Sequence, residues 1–401
     1  MTTLPTRTTL PMRRTCPFEP PPEYAKLRAE APVTKVGLYD GTAAWIVTRH
    51  AEARALLTDP RLSGDVHRPG FPIVEPGGAG LREQEHVPFV KMDPPRHTLY
   101  RRMLIGEFTV QRLNALKPRI QAIVDRLLDD MAKRTGPVDL VEAFALPVPS
   151  MIISELLGVP YADHDFFEER SRVAIRRGST PEQIHRAFFD LLTYLDRLLR
   201  RKDRNPGDDL LSRLVVEQER TGVLSHDEVV SVAMLLLTAG HETSANMISL
   251  GTLTLLRHPE RIPTLHGDPA ALRGVVEELL RYLAIADTVP TRVALEDIEI
   301  DGQVIKAGEG VVVLVAAANH DERAFPHPEA FDPDRTTRQH IAFGYGIHQC
   351  LGQNLVRVEL EIVFRTLFAR FPKLRIAVPV DELPFRHDAE LYGLWELPVE
   401  W

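Results

Sequence analysis

Ten consecutive residues, Phe343-Gly-Tyr-Gly-Ile-His-Gln-Cys-Leu-Gly352, constrain the fold of this chain more than any other stretch. Gly344 and Gly346 allow a tight turn whose bare backbone a flat partner can approach, and Gly352 does the same just past the cysteine. Downstream, Leu351, Leu355, Val358, Ile362 and Leu367 recur at helical spacing, which predicts a helix from Leu351 to about Phe371 with Cys350 at its N-terminus. Unpaired N–H groups and the helix dipole at such a position lower a thiol's pKa and stabilise its anion. Other readings of a single cysteine remain. An inert core thiol is the commoner case. A nucleophile needs a base in reach, and His348, two residues away, is poorly placed by sequence alone. Zinc is excluded more firmly, because the chain has two distant cysteines, Cys16 and Cys350, and no paired cysteine–histidine spacing.

The pattern Phe-Gly-x-Gly-x-His-x-Cys-x-Gly resembles the haem loop of cytochrome P-450 monooxygenases. The resemblance makes Cys350 the axial thiolate ligand of haem b iron, with Phe343, Gly344 and Gly352 against the cofactor. Thiolate ligation directs electron density onto iron and favours O–O cleavage.

Composition narrows the class. With 401 residues, 44% hydrophobic and 26% charged, the chain is an ordinary globular protein long enough to enclose a cofactor. A formal charge of −8 argues against general nucleic-acid binding, and two cysteines imply no disulfide framework. Met1 to Tyr24 has no apolar run resembling a signal or anchor, and the longest apolar run, Val311 to Ala318, is too short to span a bilayer. The expectation is a soluble, cytoplasmic protein without membrane partners, monomeric by default. Within the resembled family this points to the soluble bacterial subgroup that hydroxylates steroid-like, macrolide-like and related secondary metabolites. The expected fold is one mainly helical domain over residues 1–401 with a smaller β-rich region near the N-terminus. Haem would lie between a long central helix and the helix following the cysteine loop.

In chain order, a short helix near Glu23 to Glu30 precedes a strand at Ala44 to Val47 and a helix over Ala51 to Leu57; Cys16 reads as a structural thiol. Phe71 to Phe89 is irregular and long enough to be a functional loop, which in the resembled family covers the haem. In Met92-Asp-Pro-Pro-Arg-His97, Asp93 is expected to cap a helix that Pro94 and Pro95 begin. His97 and Arg101, four apart, share one helix face and suit a bound dianion. A solvated basic face is the ordinary reading of such a pair. The resemblance reverses it, because both match propionate-binding positions. Helices are expected from about Gln111 to Met131, Leu140 to Leu157 and Pro181 to Lys202, with a break at Arg176 to Thr180. Of Phe166, Phe167, Phe188 and Phe189, most are expected to pack in the core rather than face substrate.

Ser225-His-Asp-Glu228 has the form of a capping box. It opens an apolar segment to about Leu256, roughly 45 Å of helix at about 1.5 Å per residue. Val232 to Ala239 is apolar nearly all round, so the helix is expected to run through the middle of the protein. Gly240 costs about 1 kcal/mol in a helix interior relative to alanine, so a packing or functional reason is expected, and the close approach of a flat cofactor supplies one. Thr243 is placed to bond the carbonyl of Ala239 and to bend or widen the helix. A kink with a satisfied threonine and an exposed glutamate is the plain alternative. The segment resembles the family's oxygen-activation motif, which makes Glu242 and Thr243 the acid–alcohol pair that delivers protons and sets Ala239 and Gly240 against the cofactor. No role is assigned to His241.

Glu278 and Arg281 lie side by side on a helix from Asp268 to Leu283, an arrangement that is usually a weak surface pair. By resemblance they join Arg335 in a structural network on the haem side. Arg292 and His348 match two further propionate-binding positions. Leu236, Ile285, Val289, Leu391 and Tyr392 are expected to line a substrate pocket.

The implied reaction inserts one atom of O₂ into a C–H bond of a bulky, mostly apolar molecule, with electrons from NAD(P)H through a reductase and ferredoxin. Arg96, Arg102 and Arg357 are candidates for docking an acidic ferredoxin, although each taken singly reads more readily as an ordinary solvated arginine. A peroxygenase or non-oxidative haem enzyme on the same scaffold is the nearest alternative, and a haem sensor or carrier a more distant one. Neither a peroxygenase nor a sensor would need Glu242 and Thr243.

Overall fold

The computed structural model describes residues 9–75, 87–175, 179–336, 339–387 and 391–401. Much of the Phe71 to Phe89 loop (76–86) and part of the Arg176 to Thr180 break (176–178) thus lie outside the described residues. The chain forms two compact units: Met1–Arg101, Gly267–Gln353 and Phe385–Gly393 make the first, and Arg102–His266, Asn354–Pro384 and Leu394–Trp401 the second.

The first unit is built on a mixed sheet in the order β1 (Val33–Gly37), β2 (Ala43–Val47), β8 (Gly310–Val313), β5 (Thr291–Ala294) and β3 (Leu62–Ser63). β8 runs parallel to β2, with Trp45 beside Val311, and antiparallel to β5, with Arg292 beside Val311. Val311, Val312 and Val313 are buried on both faces, as a central strand requires. The apolar run Val311 to Ala318 is therefore this strand followed by the short helix α11 (Val315–Asn319). Helices α1 (Pro22–Glu30) and α2 (His50–Thr58) contribute Tyr24, Leu27, Leu56 and Leu57 to the same core. A hairpin of β6 (Ile298–Ile300) and β7 (Gln303–Ile305) turns at Asp301-Gly302, both with positive φ, as a tight two-residue turn demands. Helix α10 (Pro269–Leu283) completes the unit.

The second unit is helical. Its main elements are α4 (Val110–Ala132), α5 (Pro147–Leu157), α7 (Pro181–Arg204), the short α8 (Leu210–Leu214), α9 (His226–Arg257) and nearly all of α12 (Gln353–Arg370). Helix α6 (His164–Ile175) packs on α7, where Phe167 is buried, while Phe189 is exposed. Strands β4 (Val138–Asp139), β9 (Arg375–Ile376) and β10 (Pro398–Glu400) form a small sheet. Among the described residues no helix is long and apolar enough to cross a membrane.

Four expectations are corrected. First, Leu140 to Leu157 is not one α-helix: a π turn at Val141–Ala145 precedes α5, whose first residue is Pro147, with no N–H to continue the earlier ladder. Second, α9 is most deeply buried from Ser244 to Leu255, not over Val232 to Ala239, where Thr238 and Ala239 are exposed. Third, α12 starts at Gln353, so Cys350 precedes the helix by a turn rather than occupying its N-terminus. Fourth, α3 (Arg96–Ile105) starts after both prolines, and the Asp93 carboxylate does not cap it. That carboxylate accepts from Ser63 Oγ (2.5 Å) and the Gly64 N–H (2.8 Å), and only the Asp93 carbonyl serves the helix, accepting from the His97 N–H.

Candidate functional site

The cysteine loop is folded by its own backbone and clamped by α2. Gly344 and Gly346 have φ of +68° and +74°, and the Cys350 N–H donates to the Phe343 carbonyl at 2.8 Å, closing the loop. A Cβ on Gly346 would lie 2.4 Å from the carbonyl oxygen of Leu57, at the end of α2. Arg54, one turn earlier on α2, donates to Tyr345 Oη (2.5 Å) and Gln339 Oε1 (2.8 Å) while its guanidinium lies over the Tyr345 ring, 4.3 Å from its centroid. His340 pairs with Glu277 of α10 at 3.1 Å. These anchors leave no mark on the motif itself; they join residues far apart in sequence, which local spacing does not reveal. By contrast, a Cβ on Gly352 would meet only the Cys350 Sγ, at 4.0 Å. Cys350 is exposed, in no disulfide, and close enough to Arg101 for its charge to act on that guanidinium.

In the same unit four donors gather from three elements: His97 and Arg101 from α3, Arg292 from β5 and His348 from the loop. The His97 and His348 rings are 4.1 Å apart. Both ring nitrogens of His97 and Nδ1 of His348 are buried without a hydrogen-bond partner. Burial, then the neighbouring arginines, lowers the pKa of His97, and burial, then Arg292, lowers that of His348 to about 2. Burial likewise lowers Arg292 to about 10 and Arg101 below its ordinary value. The nearest carboxylate, Asp93, is already bonded to Ser63 and Gly64. Such a set of unsatisfied donors and desolvated cations matches the two propionates of haem. Lys91, which belongs to no recognisable motif, adds a further positive charge acting on His348 and donates to Thr291 Oγ1 at 3.0 Å.

In the second unit, α9 opens with the capping box: Ser225 Oγ accepts from the Glu228 N–H and Glu228 Oε2 from the Ser225 N–H. Thr243 Oγ1 donates to the Ala239 carbonyl at 2.8 Å, and the segment remains α-helical throughout. Gly240 has a reason within the protein: a Cβ there would lie 2.6 Å from Ile153 Cδ1 of α5. Of the two kinds of reason expected for Gly240, packing is present in Ile153. His241, to which no role was given, is buried and bonds the Leu146 carbonyl through Nε2 at 3.0 Å; burial lowers its pKa to about 4, so it is neutral and donates. Glu242 and Thr243 are partly buried.

Glu278 and Arg281 form a buried bidentate fork (2.7 and 2.8 Å), with Arg335 3.4 Å from the same carboxylate. Arg281 also donates to the Asn319 carbonyl, and Arg335 to that of His327. The residues expected to line a pocket divide. Tyr392 and Ile285 are joined by a backbone bond at 3.0 Å, both buried, and the Tyr392 ring lies 4.1 Å beneath the Arg14 guanidinium. Leu236 and Leu391 are partly buried and Val289 is exposed.

Comparison with known proteins gives one consistent family. The family model for cytochrome P450 matches residues 76–267 and 270–384. Pentalenic acid synthase of Streptomyces avermitilis is 51% identical over 391 residues, 98% of this chain and 96% of that protein. Vitamin D3 dihydroxylase of Streptomyces griseolus is 47% identical over 392 residues, with 98% and 96% covered. The crystal structure of cytochrome P450 MoxA from Nonomuraea recticatena superposes with a TM-score of 0.95 at 52% identity, covering 98% of each chain.

Proposed function

The chain belongs to the cytochrome P450 family and is a monooxygenase, and we propose that it hydroxylates a bulky, mostly apolar small molecule of the steroid, macrolide or polyketide type. The carrying observation is the cluster of His97, Arg101, Arg292 and His348, in which buried imidazole nitrogens lack hydrogen-bond partners beside two arginines that burial desolvates. Cys350 would ligate the iron of haem b and these four residues would bind its propionates, with Phe343, Gly344, Gly352, Ala239 and Gly240 against the ring. A thiolate-ligated haem supplies the activation of O₂ and the insertion of one oxygen atom into a C–H bond.

The remaining work falls to the chain. Arg101 and Arg292, already partly stripped of water by burial, bind anionic groups with less further loss of hydration than exposed arginines would. Neutral His97 and His348 donate through N–H groups and add no charge of their own. Glu242 receives protons from solvent and passes them to the Thr243 hydroxyl, which the Ala239 carbonyl holds in one rotamer. Two electrons come from NAD(P)H through a ferredoxin reductase and an acidic ferredoxin, to which Arg96, Arg102 and Arg357 are the cations offered. The acid–alcohol pair favours this reading over a peroxygenase, which needs no proton relay.

The names of the relatives support the substrate class: one makes pentalenic acid, another hydroxylates vitamin D3. An absorption titration of the haem-loaded protein tests it. Vitamin D3, a macrolide and a polyketide lactone are the probes. A saturable shift of the main haem band toward its high-spin position with one of them supports the class, and shifts only with small polar ligands would overturn it.

A further inference from the structure

Glu359 is a titratable group that the proposed reaction does not use. It lies on α12, 2% exposed, and its carboxyl hydrogen-bonds Ser244 of α9, itself 1% exposed. Its Oε1 has no partner, and its α12 neighbours Leu360, Val363 and Phe364 are fully buried. Ser244 directly follows Thr243. In these surroundings a carboxylate would be a buried charge with a single hydrogen bond, whereas a carboxylic acid needs no counter-ion.

We propose that Glu359 is a positioning residue that acts as a neutral carboxylic acid, tying α12 to α9 one residue past Thr243 and so fixing the helix turn that presents the Thr243 hydroxyl. Ionisation strands a charge between the helices, draws in water and opens the contact. The inference rests on the role given above to Thr243. Burial raises the Glu359 pKa to about 8 against the pull of the Ser244 bond. These two influences govern its proton: on α9 the titratable neighbours of Ser244 are His241 and Glu242, on α12 those of Glu359 are Arg357 and Glu361, and none of them is a cause of the shift. Glu359 is therefore protonated at neutral pH and loses its proton in mildly alkaline solution.

The test uses holoenzyme reduced by NADPH through a plant ferredoxin and its reductase, without substrate, and reads hydrogen peroxide released per NADPH across pH. The wild type should release severalfold more peroxide at alkaline pH, with a midpoint near 8. Glu359→Gln, neutral at every pH, should stay at the wild type's neutral-pH value, and Ser244→Ala should release the alkaline amount already at pH 7. The proposal is overturned if Glu359→Gln keeps the alkaline rise. It is equally overturned if Glu359→Gln releases the alkaline amount at pH 7, since the acid would then be giving up its proton in turnover. Thermal unfolding of the full chain is the second readout. A folded-state pKa raised from 4.5 to about 8 lowers stability progressively as pH rises through that window, so the advantage of Glu359→Gln over the wild type should grow across it. An advantage that is constant with pH overturns the neutral acid. Thr243→Ala runs alongside: no extra peroxide from it would remove the role of Thr243, while the unfolding comparison would still decide the state of Glu359.

Discussion

The imidazoles of His97 and His348 lie 4.1 Å apart, centroid to centroid, and burial keeps both neutral, reinforced by the positive charges of the adjacent Arg101 and Arg292. Two neutral rings can share so small a space; two imidazolium ions could not, since like charges at about 4 Å repel by about 4 kcal/mol even at an effective dielectric of 20. The pair is thus a donor set for an anion rather than a pair of charges. Each charge-assisted hydrogen bond to a buried anion is worth about 1.5–3 kcal/mol. Replacing Arg292 or Arg101 by alanine should speed haem transfer to excess apomyoglobin roughly tenfold to a hundredfold. A rate unchanged in both variants would remove these residues from haem binding.

The cysteine loop makes a graded prediction from its glycines. At Gly344 an alanine is disfavoured by φ alone, about 1–2 kcal/mol, because no atom is nearer than 4.0 Å to its Cβ. At Gly346 the same conformational penalty adds to a 2.4 Å clash with the Leu57 carbonyl, a backbone atom that cannot rotate away. Gly346→Ala should therefore lower Tm more than Gly344→Ala in thermal unfolding. Gly352→Ala, which meets only the Cys350 Sγ at 4.0 Å, should leave the unfolding of the haem-free chain nearly unchanged and reduce haem retention instead.

What could be read from the sequence follows the reach of each interaction. The Ser225–Glu228 box and the Thr243–Ala239 bond close within one helical turn, so residue spacing alone predicts them. His97 and Arg101 share a face for the same reason. The clamps of Arg54 on Tyr345, Ile153 on Gly240 and Ser244 on Glu359 join residues far apart in the chain, and no local period encodes them. Apolar spacing also says nothing about a first turn: it points to Leu351 as the start of α12, which lies at Gln353. Asp93 is a similar case: a capping residue by composition, its side chain is drawn away by Ser63 and Gly64 of another element.

Acid should loosen the second unit through His241. An unfolded imidazole takes a proton near its ordinary pKa of 6.5, whereas the buried ring in the native state does so only at about 4. The unfolded chain therefore binds more protons in that window, and stability falls as pH drops from 6.5 to about 4, by about 3 kcal/mol for a shift of this size. His241→Gln keeps an N–H donor for the Leu146 carbonyl and has nothing to protonate. Its denaturant midpoint should fall less than the wild type's over that range; an equal fall would mean that His241 is not the residue being charged.

Arg281 bears the largest stability prediction. Its guanidinium is 1% exposed and satisfies both Glu278 oxygens and the Asn319 carbonyl. Alanine at this position would leave Glu278 buried with Arg335 as its remaining cation, 3.4 Å away and shared with the carbonyls of His327 and Ala330. Breaking a buried pair from one side costs about 3–5 kcal/mol, a large part of the stability of a typical domain. Lysine keeps the charge but cannot form the two-pronged fork, so Arg281→Lys should fall between alanine and the wild type. The double variant Glu278→Gln, Arg281→Met removes both charges and should recover part of the loss, because the penalty lies in the stranded carboxylate more than in the missing contact. Urea unfolding of the four proteins gives the order directly. If the double variant is no more stable than Arg281→Ala, the network contributes through its hydrogen-bond geometry rather than through the balance of charge.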